Sequence, residues 1–212
     1  MSTHYTKPRE NSVKNLQTLY SIVIGLGLVQ SIQTVVVDPV GKFDIALIPY
    51  FLSYLFLLVP FYHGALRHLD GTYIEAPSKR VRSGALMADF LLLFIEAVVF
   101  LTLSMLLNRN QQFAWLLVAL LLLDSLWGFL AHLAFSDNNR ETSPGKGWAP
   151  EGKWAAINVI TATIVVLFII FSPRQPLGPF ESFGIGLSCI CFLRTVCDYM
   201  LTWDFYFPPI SD

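Results

Sequence analysis

Residues 84–107 read GALMADFLLLFIEAVVFLTLSMLL, and this stretch sets the architecture. As an α-helix it would be about 36 Å long at about 1.5 Å per residue. That exceeds the bilayer's hydrocarbon core of about 30 Å. Only two of its side chains are ionisable, Asp89 and Glu96. Five further apolar runs flank it, at 19–37, 45–62, 113–135, 154–171 and 183–206. The first is interrupted by Gln30, Ser31 and Gln33, and the second carries Pro60. In a membrane helix that proline should free a backbone carbonyl, which must find another partner.

The composition of the whole chain agrees. Of 212 residues, 54% are hydrophobic and 14% charged, where a soluble domain carries about 25% charged residues. These figures argue against a soluble enzyme, a nucleic-acid binder and a disordered chain. The sequence predicts an all-α fold, a polytopic bundle of six transmembrane helices. Its organisation is a polar tail over 1–18, one membrane domain over 19–207 and a short tail over 208–212. The first apolar run has no clear cleavage site and leads directly into further spans, so it reads as a transmembrane helix and not a signal peptide.

Basic residues sort between alternate loops. Lys7, Arg9 and Lys14 precede the first run. Arg67, Lys79, Arg80 and Arg82 follow the second, and Arg140, Lys146 and Lys153 follow the fourth. The intervening loops hold Lys42, Arg109 and Arg174, one each. The positive-inside rule then puts both termini in the cytoplasm of a multi-pass membrane protein. The basic segment 78–82 is a topology signal that also suits anionic headgroups. The stretch 144–147 (PGKG) lacks the spacing of a phosphate-binding loop.

Ionisable residues inside the spans point to function, because each costs several kcal/mol in hydrocarbon, about 2.5–3.5 on insertion scales. They are Asp89 and Glu96 on the third helix, Asp124 on the fourth, and Arg194 and Asp198 on the sixth. Entering from the cytoplasmic side, Asp89 would lie about 7 Å deep and Glu96 about 18 Å deep. Asp124 and Arg194 reach a similar midplane level. Asp89 and Glu96, seven residues apart, share a helix face within about 20°. Arg194 and Asp198, four apart, can pair along their own helix. With Asn158 on the fifth helix and Tyr199 on the sixth, these residues form an expected polar seam that opens to the cytoplasm. Four acids there share one arginine. Asp124 can be balanced by pairing with Arg194, or by protonation.

Three functions follow as expectations. An acidic seam suits a small carrier or channel for protons, cations or a small solute. A membrane-embedded enzyme with an acid/base or metal site is the alternative. His63, His68 and His132 are candidate metal ligands, yet His63 and His68 lie about 140° apart on one helix. No HExxH or GxSxG motif is present. The third is a non-catalytic subunit or pore-forming component of a larger complex. Ser21 with Gly25, and Gly184 with Ser188, have the small-xxx-small spacing of close helix contacts, in the bundle or in a homo-oligomer. The bilayer is the expected partner, nucleic acid is not, and no cofactor motif is present. Trp115, Trp148, Trp154, Trp203, Tyr62 and Tyr206 read mostly as interfacial anchors. Trp127, Tyr54 and Tyr199 lie deeper, to line the seam or to pack. A weak G-x-L-x-H-L repeat joins residues 64–69 to 128–133.

Overall fold

The computed structural model describes residues 6–36, 44–75, 83–139, 150–172, 176–177 and 180–208. Six long helices make up nearly all of it: α1 (Thr6–Val35), α2 (Ile48–Asp70), α3 (Ser83–Met105), α4 (Asn110–Asn139), α5 (Pro150–Phe171) and α6 (Ser182–Leu201). A single turn, α7 (Trp203–Tyr206), follows. A two-residue antiparallel pair, Pro176–Leu177 with Phe180–Glu181, closes the α5–α6 turn. The fold is all-α, and each of the six helices is long and apolar enough to cross a membrane. The basic segment 78–82 and the PGKG stretch lie outside the described residues.

The distribution of side chains is the reverse of that in a water-soluble bundle. Leu26, Val59, Leu126, Ile160, Leu193 and Met200 project outward. Asp89, Glu96, Asn158, Arg194 and Asp198 are buried. With hydrocarbon as solvent, outward apolar groups cost nothing and the polar groups collect inside.

Helix α1 packs on α3, α2 on α6, and α4 on α5. Some close helix approaches use glycine. A Cβ on Gly128 would lie 2.8 Å from the Glu151 carbonyl oxygen, which brings α4 against the start of α5. A Cβ on Gly184 would lie 2.9 Å from the Tyr50 ring. Gly184 therefore lets α6 approach α2 within the same chain.

Pro60 behaves as its chemistry requires. Helix α2 continues through it, and the carbonyl of Phe56, four residues earlier, accepts a hydrogen bond from Thr195 Oγ1 on α6. The Pro60 carbonyl in turn accepts from Tyr206 Oη at 3.3 Å. The sixth apolar run is not one helix to Tyr206. It stops at Leu201, where Thr202 leaves helical geometry and its hydroxyl bonds the Asp198 carbonyl at 2.6 Å. This break folds α7 back over the bundle, where Arg67 Nε donates to the Phe205 carbonyl at 3.0 Å.

Both ends of the described chain lie at one end of the bundle. The Arg9 guanidinium sits over the Tyr73 ring, Gln17 donates to Asp70, and Lys153 Nζ donates to the Leu201 carbonyl. At the opposite end Glu181 accepts from Tyr50 Oη at 2.9 Å and Asn110 Nδ2 at 2.5 Å, tying α2, α4 and α6 together. The core behind that end is dense. Tyr50 meets Phe113 edge-on, Tyr54 meets Phe100 edge-on, and Phe168 stacks on Phe183. Leu57, Leu103, Leu107 and Leu117 fill the remaining space.

Candidate functional site

The half of the bundle nearer the termini holds a polar cavity. Its walls include Pro60, Phe61, Gly64 and His68 of α2, Leu92, Leu93 and Glu96 of α3, and Asp124 and Trp127 of α4. Trp154 of α5, Arg194 and Asp198 of α6, and Tyr206 of α7 complete it. About 30 Å³ is open to the centre of a water-sized sphere. That volume admits about two waters.

Four of the residues expected in the seam, Glu96, Asp124, Arg194 and Asp198, thus meet at one cavity. Helix phase explains this. Asp124 and Trp127 are three apart on α4, and Arg194 and Asp198 four apart on α6, so each helix presents one polar stripe. Asn158 stands behind the wall and joins the charges. Arg194 Nε and Nη2 donate to Asn158 Oδ1 at 3.0 and 2.9 Å, and Asn158 Nδ2 donates to Asp124. Asp124 is connected to Arg194 by that amide, not by the direct pairing the sequence suggested.

Asp198 is fully engaged. It pairs with Arg194 Nη1 at 3.0 Å, as the four-residue spacing predicts. It also accepts from Tyr206 Oη at 3.2 Å and Thr202 Oγ1 at 3.3 Å. The Arg194 guanidinium lies 4.9 Å from the Phe61 ring centroid, a favourable cation–π contact.

Asp89 is equally engaged, just behind the cavity. It accepts from Tyr73 Oη at 2.7 Å and Trp127 Nε1 at 3.0 Å, and lies 3.2 Å from His68 Nε2. The other nitrogen of His68 lies 3.5 Å from Thr72 Oγ1 and 3.8 Å from Glu151. His68 is a second cation-forming group, absent from a tally of four acids against one arginine. Asp89 and Asp198 each have a basic partner and two further donors.

The remaining two acids differ. The carboxyls of Glu96 and Asp124 interact with each other. Asp124 accepts from the Asn158 amide. Glu96 is 2% exposed, and among the described residues its Oε1 accepts no hydrogen bond. No basic side chain reaches either by direct contact among the described residues.

The aromatic wall departs from expectation. Trp154 and Tyr206 are buried cavity walls, not interfacial anchors. Trp154 lies four residues before Asn158, so helix phase gave a usable signal. Tyr206 arrives through the break at Thr202, which no helical spacing reveals. Trp127 and Trp154 lie nearly parallel, with ring centroids 6.5 Å apart. Among the described residues Trp154 Nε1 has no acceptor. Trp115 and Trp203 are exposed, as anchors would be, whereas Trp148 falls outside the described residues.

Tyr199 and His63 lie to one side of the cavity and bond each other, with His63 Nδ1 3.2 Å from Tyr199 Oη. His63 and His68 point to different surroundings, as their helical separation requires. The His132 side chain lies outside the described residues. Among the described residues no three His, Cys, Asp or Glu side chains gather as metal ligands. The chain matches no protein-family model, no curated protein and no solved structure.

Proposed function

We propose that this integral membrane protein is a carrier for protons or small cations, which bind at Glu96 and Asp124. The observation that carries the reading is the unbalanced acid pair. The buried Glu96 and the partly buried Asp124 line one cavity, and Glu96 Oε1 has no donor among the described residues. Adjacent buried carboxyls without a cation favour uptake of a proton or another positive charge.

A carrier fits better than an open channel. The cavity lies in the half of the bundle that holds the termini, and the opposite half is closed by Tyr50, Tyr54, Phe100 and Phe113. Passage through that layer needs a rearrangement. The acid/base enzyme has weaker support. His68 lines the cavity, but both its nitrogens already face partners, which leaves no lone pair for a substrate proton. The ten-to-three distribution of basic residues orients the cavity toward the cytoplasm in this proposal.

The test is flux into proteoliposomes containing the full chain. Glu96→Gln and Asp124→Asn should reduce proton or cation flux to the level of empty liposomes. Asp204→Asn, at an exposed position, should leave it intact. Unchanged flux in both cavity variants refutes the proposal.

A further inference from the structure

We propose that the cavity selects a small organic ammonium ion, of methylammonium size, over inorganic cations; this rests on the carrier reading above. Four observations converge. Glu96 offers a deeply buried acceptor, Oε1, with no protein donor. Asp124 supplies a second carboxylate beside it. Trp127, Trp154 and Tyr206 supply aromatic wall surface. Trp154 Nε1, on a side chain 6% exposed, is a buried donor without an acceptor.

The donor set discriminates among cations. A hard metal ion requires about six oxygens at short, regular distances. The one carboxyl oxygen without a donor among the described residues is Glu96 Oε1, and the rest of the wall is aromatic and aliphatic, with the committed side chains of Asp124, His68, Arg194 and Asp198. Indole and phenol rings attract an alkylammonium ion through their quadrupoles, most strongly when water is excluded. The ammonium protons meet Glu96 and Asp124, and the methyl group meets the rings.

Size and competition agree. Space for about two waters accommodates an ion of two heavy atoms. Arg194 also lines the cavity, and its Nη1 donates no hydrogen bond among the described residues, but its charge is paired with Asp198, its Nε and Nη2 donate to Asn158, and it lies against Phe61. Asp198 and Asp89 are already saturated by their own partners, which leaves Glu96 as the acceptor a ligand must satisfy.

The experiment uses the full chain purified in detergent micelles and reads tryptophan fluorescence. Methylammonium chloride is titrated against sodium chloride at constant ionic strength. The expected result is a saturable change with methylammonium and none with sodium. Glu96→Gln should abolish the change while retaining a cooperative melt, and Trp154→Phe should weaken binding. An equal response to sodium, no saturation with methylammonium, or an undiminished response in Glu96→Gln overturns the inference. Flux measured on the same preparation separates the two readings. Proton or sodium flux without methylammonium binding overturns ammonium selectivity and leaves the carrier standing. Methylammonium binding without any flux supports the site and overturns the carrier.

Discussion

Glu96→Gln should stabilise the protein, whereas Asp89→Asn should destabilise it, although both neutralise a buried acid on α3. The sign follows from the partners. Glu96 Oε1 accepts no bond, and its carboxyl lies against Asp124. An unsatisfied buried polar group costs about 1–3 kcal/mol. The glutamine amide removes the acid–acid contact and adds N–H donors toward Asp124, a gain of about 1–2 kcal/mol. For a chain of this length each kcal/mol moves the melting temperature by about 2–4 °C, so the rise should be about 2–8 °C. Asp89 instead has Tyr73, Trp127 and His68 around it. An amide there presents donors to donors and leaves His68 with Glu151 as its remaining acidic neighbour. Breaking a buried ion pair on one side costs about 3–5 kcal/mol, a fall of about 6–20 °C. Melting in detergent micelles, followed by intrinsic fluorescence, measures both. A lower melting temperature for Glu96→Gln, or an unchanged one for Asp89→Asn, would refute the division into structural and surplus acids.

Two further predictions concern the frame around the site. Thr195→Val should cost about 1–2 kcal/mol, because it strips the donor from the Phe56 carbonyl that Pro60 leaves open. In a Pro60→Ala background the restored N–H takes that carbonyl, so a double-mutant cycle on thermal stability should show coupling of about 1 kcal/mol; additive effects would count against the assignment. Gly128→Ala should destabilise by about 1–3 kcal/mol through contact with the Glu151 carbonyl. Gly25→Ala, with nothing within 4 Å, should stabilise by about 0.5–1 kcal/mol. Equal melting temperatures for the two alanine variants would contradict the α4–α5 packing.

The six helices were legible because hydrocarbon imposes length and polarity on each segment separately. Residues 84–107 need no neighbour to identify them as a span. The convergence of Glu96, Asp124, Arg194 and Asp198 was also legible, since depth follows from helical rise and each pair shares a face. Their pairing was hidden. Asn158 was placed at the right depth, but its role between Arg194 and Asp124 depends on how α4, α5 and α6 rotate against one another. The sequence marked His68 only as a candidate metal ligand, not as the partner of Asp89. Only the turn at Gly71–Glu75, which brings Tyr73 back over Asp89, encloses it. Tyr206 depends on the chain reversal at Thr202. In each case the missing information was tertiary, in a turn or a helix rotation that no spacing encodes.

The corrected pairing changes what the acids mean. Counting side chains gave four acids against one arginine, a surplus of three. The structure sets His68 beside Asp89 and Arg194 beside Asp198, and leaves Glu96 and Asp124 without a direct basic partner among the described residues. Asp89 and Asp198 have donors delivered from separate segments, and that convergence offsets the cost of burying their charge. Their burial is explained by the fold they hold together. Glu96 has no such account: it lines the cavity, its Oε1 accepts no hydrogen bond among the described residues, and its carboxyl is partnered by another acid. A glutamine in its place would serve the packing of α3 better. On the stabilisation expected for Glu96→Gln, this glutamate lowers the stability of its own fold; such a residue needs a reason outside that fold, and a positive charge arriving in the cavity from outside the chain would supply one.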